Sequence, residues 1–544
     1  MKTRWFIAIL IPLLLASCAK QETTPVPQLR ADLSGYHRET SSRSASARDY
    51  FDQGLVLYYG FHHEASAALF ARAADLDPEF AMAWWGQALC AGPNINNPFM
   101  DSAAAHAAWE AVRRASELTA TASPVEKDLV QALSARYAWP PPADRKALDV
   151  AYANAMRSVW ARHPEDADVG ALFADALLNL RPWDLWTSDG VARPETPEVM
   201  ATLEKVLSAD PSHPGACHFY IHTMEASPFP ERALRAADSL RNRIPGAGHL
   251  VHMPSHIDIR LGRYASAILA NQRAIAVDSS WASAGGFYTL YRAHNFHFLA
   301  YAAMFDGQRA VALKAANDMV AQVPVELVRS YIDFMDAYLA VPTHVMVRFG
   351  LWREILKEPP PPADLLATTA FWRYGRTVAF SALGNVAEAE RELDSLKSAC
   401  AAVPETRLLG NNTARAVLQI GLPMAEGELE YRRGNHAKAF ALLRTAVERD
   451  DSLRYDEPWG WMMPVRHSLG ALLLEQGKVR EAEAVYREDL RIHPGNGWAL
   501  KGLAECLHRL GRHREAMETM GRFEEAWARS DIELTASCFC RTNL

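Results

Sequence analysis

A repeating unit of about 34 residues, marked by three landmarks, constrains the fold of this 544-residue chain more than any other feature. A turn glycine recurs at Gly262, Gly307, Gly350, Gly384, Gly434, Gly477 and Gly511. Five positions after each comes a small residue, namely Ala267, Ala312, Ala389, Ala439, Ala482 and Ala516, with Ile355 the exception. Pro78, Pro245, Pro324 and Pro494 close repeats. A unit this short cannot bury its apolar face alone, so copies must stack into a solenoid. The 49% hydrophobic content suffices for such an extended core.

These landmarks resemble those of the tetratricopeptide repeat, a helix–turn–helix unit. The resemblance implies an all-α, right-handed superhelix. It also implies that positions 2, 5, 9 and 12 of each first helix line a concave groove, at the spacing that keeps side chains on one helical face. Repeat starts then fall at Pro214, Gly248, Ala293, Asp336, Ala370, Ile420, Met463 and Gly497.

In that register the histidines collect in the groove. His218 and His222 take positions 5 and 9, with Glu225 at 12. His249, His252 and His256 take 2, 5 and 9, His294 and His297 take 2 and 5, His344 takes 9, and His467 takes 5. Groove positions are about an eighth of a repeat of this length, so chance would put one or two of the eleven histidines from His213 to His467 there. The register puts nine. His62, His63 and His436 are read as solvated or capping residues, and His106, His163, His493, His508 and His513 as surface. Tyr301, Tyr374 and Asn295 are further groove-lining candidates.

Imidazoles at i and i+4 lie one helical turn apart and can share a metal ion; His218/His222 and His252/His256 have this spacing, and His294/His297 the i, i+3 form. The metal-ligand set read from sequence is His218, His222, His249, His252, His256, His294, His297 and His344, for zinc, copper or iron. Glu225 is the candidate catalytic residue, as proton acceptor. Three functions are compatible with this set: a scaffold whose groove binds a transition metal or a ligand organised by it, a metal-dependent hydrolase or oxidoreductase, and a metal-free adaptor that binds a peptide or protein. The zinc-protease spacing H-E-x-x-H is absent.

Departures from the repeat mark other places. Gly92 to Pro98 cannot be continuous helix. Arg181 to Trp186 and Ala282 to Arg292 read as insertions, which in repeat proteins map to loops, often on the binding face. Pro254, at position 7 of its repeat, implies a late helix start at Met253 or Pro254, or a kink beside His256. The stretches Gly248 to Ile257, Ala293 to Phe298 and Tyr455-Asp456-Glu457-Pro458 resemble a subgroup of exported bacterial repeat proteins.

The N-terminus reads as a targeting segment. Lys2 and Arg4 precede an apolar stretch from Trp5 to Leu15, of the length of a secretory leader. It ends in Leu15-Ala16-Ser17-Cys18, which resembles the lipobox of bacterial lipoproteins. That resemblance implies cleavage before Cys18, acylation of its thiol, and membrane attachment in the cell envelope. The expected layout is a signal peptide (1–17), a flexible tether (18–46), a first array with the His-rich groove (47–358), a second array (363–535) and a tail (536–544), with a loop at Pro359 to Pro362. A net charge of −7 without a basic run disfavours nucleic acid. Of the remaining cysteines, Cys90, Cys217, Cys400 and Cys506 are scattered, and Cys538 and Cys540 form a terminal pair.

Overall fold

The computed structural model describes residues 28–281 and 288–542. Cys18 and its leader lie outside the described residues. What is described is an all-α solenoid, with one two-stranded hairpin, Leu408–Leu409 with Asn412–Thr413. All seven turn glycines have φ between +64° and +81°, where a β-carbon would clash with the backbone, so the recurring glycine is a conformational requirement of the inter-helix turn. The small residues that follow are buried where paired helices cross: Ala267, Ala312, Ala389, Ala439 and Ala482 are 0% exposed.

The expected register agrees with the helix starts at Pro214, Gly248 and Gly497. Tyr288–Phe305, Leu366–Ala382 and Ala414–Arg432 begin earlier than expected, a 3-10 helix begins at Asp336 as expected, and Val465–Glu475 begins after the expected Met463. Part of the expected insertion ahead of His294, residues 288–292, is therefore helical, while 282–287 lie outside the described residues. The helix holding three histidines does not start late at Pro254. It runs as Gly248–His252 and Pro254–Arg260, broken at Met253, because proline has no N–H to donate to the preceding turn and fits only as the start of a new helical segment.

The tether expected over 18–46 is corrected where it is described. Arg38 donates to Asp166 (2.8 Å) and Asp168 (2.7 Å), the Ser41 N–H to Glu126 (2.8 Å), and Ser42 to Asp77 (2.6 Å). Composition alone reads this stretch as a linker because its apolar residues are few; charged and polar anchors hold it down instead.

Among the described residues, three large apolar cores and a small fourth around Val328 organise the chain. One spans residues 33–291, a second spans 337–540, and a third joins them through Ile259, Tyr264, Phe298 and Met304 with Val341, Trp498 and Phe523. Here the last repeats close on the middle ones. The Trp498 indole N–H donates to the Met304 carbonyl (2.9 Å), and the Arg348 guanidinium lies 3.6 Å over the Trp498 ring. Arg529 pairs with Asp306 at 2.6 Å.

The repeat packing leaves no slack at its crossings. A β-carbon on Gly470 would lie 2.5 Å from the Tyr486 ring, and one on Gly502 2.2 Å from it. Ala482, on the same helix as Tyr486, is expected to tolerate no enlargement: Ala482→Leu should cost about 1–3 kcal/mol in chemical denaturation. An unchanged midpoint would show the crossing to be looser than this packing requires.

Candidate functional site

The site forms where helix Pro214–Glu225, the broken helix Gly248–His252/Pro254–Arg260 and helix Tyr288–Phe305 run side by side. His218, His222, His249, His252 and His256 are each at most 2% exposed, and His294 is partly buried. The concave face expected to be an open groove is therefore closed. What covers it is the segment Tyr455 to Met462: Glu457 reaches His256, and Trp459 stacks parallel to Tyr301 at 6.0 Å.

Hydrogen bonds on the outer side of the rings fix their protonation pattern. The Asn271 amide N–H donates to the Ala267 carbonyl (2.8 Å), so its oxygen faces His252 Nδ1 (2.7 Å) and accepts a hydrogen bond from it. The Tyr59 carbonyl accepts from His218 Nδ1 at 2.6 Å. Glu225 accepts on both oxygens, from His222 Nδ1 (2.7 Å) and His256 Nδ1 (2.5 Å). Four imidazoles thus carry Nδ1–H and present an Nε2 lone pair on the opposite side.

Those lone pairs are crowded together. His249, whose Nδ1 has no partner, is free to carry its proton on Nε2, 3.2 Å from His218 Nε2; His222 Nε2 is buried without a partner, and His252 Nε2 lies 2.6 Å from His256 Nε2. Facing lone pairs repel unless a cation sits between them. Burial pushes every one of these rings toward the neutral form: His218 falls to about 3, His294 to about 4, and His222, His249, His252 and His256 well below the usual histidine range, with neighbouring imidazoles adding to the effect. Neutral imidazole is the form that ligates metal.

Among the described residues, three groupings bring donor atoms within 4.8 Å of one another: His218, His222 and His249; His252, His256 and His294; and His222, Glu225, His256 and Glu457. The third uses the Nδ1 side of its histidines, where Glu225 and Glu457 both meet His256.

Residues 473–526 match the tetratricopeptide repeat family. The chain carries tetratricopeptide repeats. Among curated proteins nothing matches. Similar solved structures include the human IFIT1 dimer with m7Gppp-AAAA, at 11% identity over 87% of this chain and 94% of that one, with a TM-score of 0.35. A monomeric mutant of IFIT1 with Gppp-AAAA gives 12% identity, 87% and 95% coverage, and the same TM-score of 0.35. At that TM-score the likeness carries no functional reading.

Across these repeats, six of the eight expected metal-binding histidines come together. His297 and His344 stand apart, around a cavity of about 10 Å³, room for roughly one water, which Tyr338, Asp456, Trp459 and Met462 also line. Glu225, read from the sequence as a proton acceptor, is 0% exposed, with both oxygens on imidazole N–H groups. Burial pushes its carboxyl well up, with the Arg260 guanidinium opposing that rise. His467 lies in a separate network, between Arg348 (2.8 Å) and Asp489 (2.8 Å). Tyr301 and Tyr374 are core residues at 1% exposure.

The histidines read as solvated or surface divide. His62 stacks on Tyr288 at 3.7 Å and His63 on Tyr58 at 5.1 Å, so both are packed. His493 is buried between Phe305 and Trp459, and the partly exposed His163 bonds Asp128 at 2.7 Å. His106, His508 and His513 are exposed.

Sequence reasoning missed Asn271, Glu457, Phe61 and Phe298. Asn271 sits on the second helix of its repeat, outside any groove position. Glu457 was marked only within a stretch of resemblance. The insertion Arg181 to Trp186 does reach the site, with Trp183 edge-on to His222 at 5.2 Å and the Trp186 indole donating to the Thr223 carbonyl (2.7 Å).

Proposed function

We propose that this tetratricopeptide-repeat protein is held in a bacterial cell envelope by lipid on Cys18 and binds a transition metal within its middle repeats. The observation that carries the metal reading is the set of four imidazoles whose Nδ1–H groups are tied back to acceptors while their Nε2 atoms converge in a buried space. A hydrogen-bond acceptor behind each ring is the outer shell that orients imidazole ligands and raises their basicity. A donor set of neutral imidazoles suits zinc or copper; iron in its two-histidine, one-carboxylate arrangement would draw on the Glu225 and Glu457 side instead.

The adaptor reading has less support, because Glu457 and Trp459 fill the face a peptide would need. The enzyme reading also has less support, because Glu225, its candidate proton acceptor, is buried with both oxygens on imidazole N–H groups.

Added Zn(II) should raise the melting temperature of chelator-treated protein; an unchanged melt would reject the metal reading. For the anchor, Cys18→Ala should abolish incorporation of labelled fatty acid and leave the leader unprocessed. Undiminished labelling would end the lipoprotein reading. The one disulfide among the described residues, Cys538–Cys540, fits an oxidising compartment.

A further inference from the structure

We propose that the cluster is a two-ion centre. His218, His222 and His249 hold one ion, His252, His256 and His294 hold the other, and Glu225 couples the two. This rests on the metal reading above and specifies its stoichiometry and ligands.

The two triads share no residue, and each brings its three donor atoms within 4.8 Å. At zinc–nitrogen distances of about 2.0–2.1 Å, tetrahedral ligands stand roughly 3.3–3.4 Å apart, so each triad needs only a small adjustment to close on its own ion.

An independent observation separates the triads. A single phenylalanine touches all three rings of each. The Phe61 ring centroid lies 4.5, 6.1 and 5.5 Å from those of His218, His222 and His249. Phe298 lies 5.0, 4.8 and 5.5 Å from His252, His256 and His294. Phe61 reaches this place from a backbone φ of 53°, a left-handed conformation costly for a side chain of its bulk and retained where surroundings impose it. Each triad is thus a small basin with an apolar wall.

Glu225 is hydrogen-bonded to both. One oxygen holds His222 of the first triad and the other holds His256 of the second. An ion that locks His222 in place therefore also fixes the carboxylate that orients His256. Three imidazoles leave a fourth position on each ion, open to a small ligand such as water or hydroxide.

The competing arrangement is one ion held by His222, Glu225, His256 and Glu457. It consumes the Nδ1 atoms that the two-ion arrangement uses as N–H donors, so the two exclude each other.

The test is native mass spectrometry and calorimetric titration of full-length untagged protein with Zn(II) after chelator treatment. Wild type is expected to bind two ions. His249→Gln and His294→Gln are each expected to keep one, Glu457→Gln to keep two, and Glu225→Gln to weaken both ions by roughly 10–100-fold. If wild type binds one ion, and Glu457→Gln loses it, the two-ion proposal is overturned while metal binding stands. If wild type binds none, the metal reading itself fails. Should the histidine variants misfold by circular dichroism, anomalous scattering from zinc-loaded wild-type crystals decides: two peaks, one beside each phenylalanine, support the proposal, and a single peak beside Glu457 overturns it.

Discussion

Replacing His222 and His256 together by Ala is expected to abolish both metal binding and the stabilisation that metal confers, while the helical circular-dichroism signal persists. One residue comes from each triad, so the pair leaves neither set with three donors. A ligand that binds only the folded state, at 1,000 times its dissociation constant, stabilises by about 4 kcal/mol. That increment should vanish in the double variant and survive in His436→Ala, whose ring stacks on Tyr431 far along the array. His222→Gln with His256→Gln, which keeps more of the volume, separates ligand loss from cavity formation. A double variant that still melts higher with Zn(II) would contradict the assignment.

The second large effect concerns closure of the array. Trp498 is 0% exposed and joins the last repeats to the middle ones through the Met304 carbonyl and the stacked Arg348 guanidinium. Trp498→Ala is expected to cost about 3–5 kcal/mol from the cavity, and it also strips the ring from a buried cation that burial has already lowered to about 9. Trp498→Phe should restore most of the packing and lose only the hydrogen bond, roughly 1 kcal/mol. Urea titrations of the three proteins check this; a loss below that of Trp498→Phe in the alanine variant would show that the two arrays do not depend on this joint.

The fold was legible because its landmarks are local. A glycine at left-handed φ and a small residue at each helix crossing are demanded by the unit itself, and they repeat. The same periodicity places His218, His222, His249, His252, His256 and His294 on adjoining helix faces. It could not show that the groove is closed. Residues 455–462 lie between repeats and come to the histidines through long-range packing, which no local period encodes. Nor could it distinguish His297 and His344, which occupy equivalent register positions but sit beside a different cavity. Glu225 was found by its spacing, but spacing reports that a carboxylate is near and not which side of the rings it occupies.

The central claim is that the imidazole cluster holds transition metal, and elemental analysis of untagged protein tests it most directly. Protein purified without a histidine tag or chelator, and then passed through gel filtration, should carry at least one equivalent of zinc or copper per chain. It should lose that metal in the His222→Ala/His256→Ala variant. Wild-type protein that elutes folded and metal-free, and stays so after incubation with Zn(II) and Cu(II), would contradict the account.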